Sequence, residues 1–512
     1  MSQPHAVLEW LEQISDRMSP IVVKEVRQLG RGREFFYALH AALLVGLAIA
    51  FFGAADALSG SATSGGWTFA ALMAVLALLG LIVVPLGAFA MLRSERQDET
   101  LELITLTALS PRRVVIGKLF AQGVKLVTLF AGLAPFVAMS FLLGGIDFAT
   151  ILVSMAVLFA WSVCASAASL FLSSLVRSRA GSGFLLAVFG IVLLLVIVLV
   201  GGPRAVYFVM YRGGMMGPGP GAMGGSMPWW AQAMLVSFCV SFTANLILLA
   251  ENRLSLPSAN RTTPLRLGFL GQLLLMAAWA LSFISESRRA PVDVAQFWLA
   301  LGAIHLALVA TFTVTEDLVL PSRVRLARRD LPPFRQVFAP LQPGGGNGAL
   351  YVLLQMALLL GVGWLLKADA STVFWFVIAC GYICLFTGAP VVVVRAARPY
   401  AAAAFQLRVA ILVLLAAAVT VPDVVAYMFW QPNGLDFTYT VRHVLNPFRT
   451  LANLNHVSAS YGALASLVGV TGLLAYIVLI RIGAGVTLDP DSLDSDPSVT
   501  GEREPGGANV LS

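Results

Sequence analysis

The sequence predicts an all-α, polytopic integral membrane protein of about 12 transmembrane helices, with an amphipathic N-terminal helix and a cytoplasmic coupling helix. Three observations lead there. First, 58% of the residues are hydrophobic and 12% charged, with a mean hydropathy of +0.85; a soluble chain carries about 25% charged residues and could not hide this much apolar surface. Second, apolar windows near the roughly 20 residues that a helix needs to cross a bilayer recur along the chain. They are Phe35–Ala54, Trp67–Leu92, Leu119–Gly144, Phe148–Val176, Gly181–Val200, Trp229–Ala250, Leu267–Ile284, Val294–Val314, Leu350–Leu366, Val373–Val394, Val409–Trp430 and Tyr461–Ile480. Third, with the basic N-terminus taken as cytoplasmic, 25 of the 33 lysines and arginines fall on that side and seven on the other. Such a bias orients helices in a bilayer and assigns both termini to the cytoplasm.

In chain order, residues 1–34 form an amphipathic leader. Val7, Leu8, Leu11 and Ile14 recur at helical spacing, and Pro20 restarts the pattern with Ile21, Val22, Val26 and Leu29 set against Lys24, Arg27, Arg31 and Arg33. A basic helix of this kind lies in the membrane interface. Residues 35–255 hold six spans, with a coupling helix over 95–109. The segment Glu251–Arg266, with Pro257, Pro264, Asn252 and Asn260, reads as a polar joint, and residues 256–482 hold six more spans. Each group has its longest basic loop between its second and third spans, at Arg93–Lys118 and Glu316–Asn347, which suggests an old duplication. The second loop lacks the Thr-Leu-Glu-Leu core of the first. Residues 483–512 form an acidic cytoplasmic tail with nothing to bury, expected to be disordered.

Composition also excludes some functions. The net charge of +7 is spread over short loops rather than gathered in one stripe, so no nucleic-acid surface is expected. Cys164, Cys239, Cys380 and Cys384 all fall in predicted spans, where thiols pack as small apolar groups; neither a disulfide framework nor a metal site is implied. The first apolar run has no small-residue cleavage site after it and is expected to stay as an anchor.

Between Glu95 and Leu109, leucines at 101, 103, 106 and 109 oppose acids at 95, 98, 99 and 102, so a helix there has one apolar and one acidic side. Ser110 and Pro111 then start a new helix, as N-cap and first helical residue. This segment resembles the transmission signature of the type 2 ABC exporter permeases: Glu95, Thr100, Leu101, Glu102, Leu103, Thr107, Leu109, Ser110, Gly117 and Lys118 fit it, with Glu99 in place of the usual Gly and Ala108 in place of the usual Pro. The leader Ser19-Pro20-Ile21-Val22-Val23-Lys24-Glu25-Val26-Arg27-Gln28 is similar to that of the same family.

The resemblance implies the permease subunit of an ATP-binding cassette exporter in a bacterial plasma membrane, the inner membrane in a Gram-negative cell. A separate P-loop ATPase subunit would grip the coupling residues, which extend to Leu106 and Pro111, and would itself hold ATP and Mg. The interfacial residues would be Pro20, Lys24, Glu25 and Arg27. The residues agree that no ATP site is expected here. A P-loop needs Gly-x-x-x-x-Gly-Lys-Ser/Thr, whereas Gly117-Lys118 has Arg112 in place of the first Gly and Leu119 in place of the Ser or Thr. The chain is therefore expected to be a transporter subunit and not an enzyme. Either two copies pair as a homodimer or the two halves of one chain do; the single docking motif favours two copies.

Ionisable residues inside spans invite functional suspicion. Lys125 is expected to snorkel toward the cytoplasm, and with Asp423, beside Pro422, it is a candidate for the translocation path. His40 and His305 are expected to pack. Methionines in the outer loop Gly201–Pro228 read as filler rather than a copper site. Two other readings are a twelve-span secondary transporter, which would need charged coupling groups near the midplane, and a membrane-embedded transferase built on Asp436, His443 and His456.

Overall fold

In lipid every backbone N–H and C=O must find a partner within the protein, which leaves helices or a closed barrel. Every regular element among the described residues is helical. The computed structural model describes residues 22–24, 26–27, 33–60, 64–97, 110–144, 146–175, 181, 183, 185–187, 189–191, 229–255, 259–283, 291–317, 338–397, 404–429, 441–454 and 459–488. Among these, ten helices are long and apolar enough to cross a membrane. Of the twelve expected windows, Val409–Trp430 is represented by a shorter apolar stretch, Gln406–Pro422, and most of Gly181–Val200 lies outside the described residues. The chain divides into two compact units, Met1–Ser255 and Leu256–Ser512.

Unit 1 comprises α1 (Arg33–Leu58), α2 (Ser64–Leu78), a π-helical turn at Leu79–Val83, α3 (Val84–Gln97), α4 (Pro111–Leu142), α5 (Phe148–Ser173) and α6 (Trp229–Leu254). Together α2, the wide turn and α3 make one span. Pro85 has no N–H to give the turn before it, and the backbone widens there. The core is built from Leu72, Leu76, Leu126, Leu129, Leu133 and Val137, all buried on α2 and α4. Helix α5 packs on the α2–α3 span through Ser162, Ser166, Ser169 and Ser173, which recur on one side and are all buried. The Ser169 hydroxyl donates to the Pro85 carbonyl and that of Ser173 to the Phe89 carbonyl at 3.0 Å. A Cβ on Gly80, in the wide turn, would lie 2.4 Å from Ser162 Oγ, so this approach needs glycine.

Unit 2 comprises α7 (Thr262–Ser282), α8 (Pro291–Thr313), α9 (Gly345–Leu365), α10 (Ala370–Ala397), α11 (Ala404–Phe429), a 3-10 turn at Val441–Leu445, α12 (Pro447–Asn453) and α13 (Ala459–Leu488). Helices α10 and α13 cross on glycine: a Cβ on Gly472 would lie 2.4 Å from the Gly381 carbonyl oxygen and 2.6 Å from the Leu385 nitrogen. Small residues let helix backbones meet where lipid supplies no hydrophobic drive between helices. The short α12 is capped by Asn446, whose Oδ1 accepts from the Phe448 and Arg449 N–H groups, each at 3.1 Å. Trp375 of α10 donates to the Leu451 carbonyl at 3.0 Å, and Tyr382 to that of Val444.

Two expected boundaries move. The polar joint is shorter than its composition suggests, because Thr262 already begins α7 and Arg266 is fully buried within it. The acidic tail likewise starts later, since α13 continues to Leu488.

The two units repeat one another. In both, the first span packs on the second and third, the third on the second, the fourth on the second and third, and the sixth on the third and fourth. Both fourth helices begin in the same way. Asp147 precedes α5 and accepts from Thr150 N–H at 2.9 Å; Asp369 precedes α10 and accepts from Thr372 N–H at 3.2 Å. In both, the chain leaves the third helix through a residue in the left-handed region, Gly144 at φ 82° and Lys367 at φ 57°.

Candidate functional site

The end of unit 1 where α3 finishes and α4 starts holds the flanks of the segment over 95–109 that the sequence singles out. Glu95 lies in the last turn of α3. Glu99, Thr100, Leu101, Glu102, Leu103, Leu106 and Leu109 lie outside the described residues. Ser110 is exposed and caps α4 with its carbonyl, which accepts from Arg113 N–H at 2.9 Å, whereas its hydroxyl makes no cap bond. Pro111 occupies the first turn, where a missing N–H costs nothing.

Gly117 and Lys118 are buried in the second turn of this 32-residue helix. They therefore form part of a packed helical face, in contrast to the bent, glycine-rich loop that wraps a phosphate. One turn further, Gln122 is fully buried and donates to Met91 Sδ at 3.7 Å, linking α4 to α3. Arg112, in the first turn of α4, lies close enough to Glu251 at the end of α6 for the two charges to interact. Lys125 is half-buried, its Nζ 3.7 Å from where a Cβ on Gly87 of α3 would sit. Of the leader, Lys24 and Arg27 are helical and exposed. Pro20 and Glu25 lie outside the described residues.

The corresponding end of unit 2 is closed by a buried ionic clamp. Arg266, in the second turn of α7, has no exposed surface. Its guanidinium donates to Glu316 Oε2 at 2.5 Å, to the carbonyls of Pro340 at 2.7 Å and Gly344 at 3.0 Å, and to that of Gln342. The same Glu316 oxygen accepts from Gly344 N–H at 3.1 Å. The Tyr351 hydroxyl donates to the Arg266 carbonyl and accepts from Gln355 Nε2 at 2.6 Å.

Around this centre, Arg395 pairs with Asp317 at 3.2 Å, and Arg408 donates from Nε to the Thr315 hydroxyl at 3.0 Å and stacks on Phe312. Burial pushes the Glu316 carboxyl up, against the pull of the Arg266 charge and the Gly344 N–H. Burial also pulls Arg261 down, against the charges of Asp317 and Glu316.

Glycine makes the closure feasible. Gly344 has φ 115°, and a Cβ on Gly348 would lie 2.1 Å from the Thr313 carbonyl oxygen. The run Gly344–Gly348, which reads as loop in the sequence, is thus the start of α9 pressed against the end of α8.

The remaining candidates separate. Asp423 lies in α11 one residue after Pro422, its side chain outside the described residues. His40 is exposed on α1 and bonds the Phe36 carbonyl at 2.8 Å. His305 is buried edge-to-face against Phe269. His443 is fully buried, its Nε2 2.7 Å from an Arg449 guanidinium nitrogen and its carbonyl accepting from the Thr450 hydroxyl. This histidine ties the 3-10 turn to α12. Asp436 and His456 lie outside the described residues. Among the described residues no three His, Cys, Asp or Glu side chains converge to hold a metal ion.

Arg266 and Glu316 are the residues that sequence reading missed. Each stood at a hydropathy boundary, where a charge is read as loop. The one signal was that Arg266 follows Pro264 and directly precedes an apolar run, as a residue near the start of a helix does. No family model, no curated protein and no solved structure matches this chain.

Proposed function

We propose that this chain is the membrane subunit of an ATP-driven exporter, worked from the cytoplasm by a separate P-loop ATPase that grips the segment between α3 and α4. One observation supports this reading most. The leucine-and-acid segment is bounded by Gln97, which ends α3, and Ser110, which caps α4, and these two helices are joined by Gln122 on Met91. Force applied to a peg between two such helices reaches both. The burial of Gly117 and Lys118 within α4 agrees with an ATP site on a partner. The mid-membrane portion is apolar and sparsely charged, which suits cargo moved by conformational change more than an ion-coupled carrier.

The test is purification of the tagged chain from its own host membranes. A P-loop ATPase should co-purify, and Leu103→Asp or Leu106→Asp should weaken its retention about tenfold, the cost of putting one charge into an apolar contact. Unchanged retention in both variants, or transport with no ATPase present, counts against the reading.

A further inference from the structure

The serine side of α5 meets the second span of unit 1, and its opposite side carries a thiol. Cys164 stands two residues from both Ser162 and Ser166, about half a turn away on a helix, and is buried there with Ala167 and Phe171. On α6 the buried Cys239, Leu246 and Ala250 recur on one side. These two helices pack on each other, and the thiols of Cys164 and Cys239 come close enough to hydrogen-bond, with Thr243 also beside Cys164. The Thr243 hydroxyl donates to the Cys239 carbonyl at 2.7 Å, which holds this turn of α6 together.

Unit 2 carries the contrasting pair. Cys380 and Cys384 are both buried and stand one turn apart on α10. At that spacing Cβ atoms are about 5–6 Å apart, beyond the roughly 3.5–4.5 Å that a disulfide spans. Thiols on two facing helices have no such fixed separation, and those of unit 1 are already in contact.

We propose that Cys164 and Cys239 are a redox-sensitive fastener: an apolar two-electron oxidant joins them as a disulfide that ties α5 to α6. Two S–H bonds break and one S–S bond forms; the two electrons and two protons pass to the oxidant, a fully substituted quinone leaving as its hydroquinone. Both residues lie more than two turns inside either end of their helices, so the site favours a neutral, lipid-soluble oxidant over a charged one. Once joined, α5 becomes a brace, held to the second span by the Ser169 and Ser173 hydroxyls and to α6 by a covalent bond. This device stands whether or not an ATPase drives the chain.

The test treats the full chain in lipid nanodiscs with diamide, a neutral azo oxidant that takes up the same two electrons and two protons. Free thiols are counted by maleimide mass tagging after denaturation, and peptide mapping shows which are lost. The count should fall from four to two, with Cys164 and Cys239 in one cross-linked peptide, and dithiothreitol should restore it. The oxidised chain should melt a few degrees higher than the reduced one. Cys164→Ser and Cys239→Ser should each keep their three remaining thiols and show no shift; where a variant does not fold, the parent alone decides. A count that stays at four, a bond between Cys380 and Cys384 or between two chains in its place, or a Cys164–Cys239 bond that leaves melting unchanged overturns the proposal.

Discussion

Units 1 and 2 hold the same helix adjacencies by different chemistry. Where α5 meets the second span of unit 1, serine hydroxyls reach across to backbone carbonyls. The fourth helix of unit 2 instead makes its closest approach to the sixth, with glycine on glycine and no side chain between. At the start of the third helix the contrast is sharper, with Ser110 exposed in unit 1 and an arginine-carboxylate clamp in unit 2. The topology constrains which helices touch, and many residue sets satisfy each contact.

If that is right, removing each device should damage only its own unit, in proportion to how much buried polarity or backbone contact it disturbs. Arg266→Leu has the largest expected effect. It takes the guanidinium away from three carbonyls and from Glu316, which keeps only the Gly344 N–H, and breaking a buried pair costs about 3–5 kcal/mol. The double replacement with Glu316→Leu should recover much of this in thermal unfolding of the purified protein. A single variant as stable as the parent would mean that the clamp closes nothing.

Gly472→Val comes next. Its Cβ must push back the Gly381 and Leu385 backbone, for which overpacking costs of about 1–3 kcal/mol apply. Proteolysis of the variant should open unit 2 before unit 1. Ser169→Ala and Ser173→Ala should each cost roughly 0.6 kcal/mol, the usual worth of a side-chain bond between membrane helices; if the pair costs nothing, the serine side of α5 serves packing alone.

The smallest effect sharpens the comparison most, since the two Asp caps should behave alike. The Thr150 and Ser371 hydroxyls, with the Thr150 and Thr372 N–H groups, hold the Asp147 and Asp369 carboxyls below their ordinary range. Lowered carboxyl values mean stabilisation that is whole above the ordinary value and lost as the pH falls through the native one. Melting scans from about pH 5 to 3 should therefore show a decline that Asp147→Asn and Asp369→Asn each reduce by a similar small amount. Unequal responses would separate the two caps.

Much of the fold could be read from the chain because lipid enforces it: an apolar window of sufficient length has to be a helix. What escaped reading was set by partners far away in sequence. Arg266 looks like a loop charge until Glu316 and the carbonyls before α9 are brought to it, and the Gly344–Gly348 run looks like a linker until the end of α8 lies against it. The repeat was visible as matching loop positions, while the residues that hold equivalent helices share little in type between the two units. Asp147-x-x-Thr150 and Asp369-x-x-Thr372 was the signal available, two caps of identical spacing at equivalent boundaries. At the candidate site the leucine-and-acid alternation was plain in the sequence, whereas the burial of Gly117 and Lys118 needed the packing of α4.

The wide turn at Leu79–Val83 has a consequence for how this chain tolerates insertions and deletions. A π turn absorbs one extra residue without disturbing the phase of the helix on either side. Were the span α-helical throughout, everything beyond Val83 would be rotated by about 100°, and the Pro85 and Phe89 carbonyls would miss the hydroxyls that meet them. Loss of a single residue within Leu79–Val83 should leave a straight helix still in phase, while the same deletion in α2 or α3 would swing the Gln97 end of the span to another azimuth.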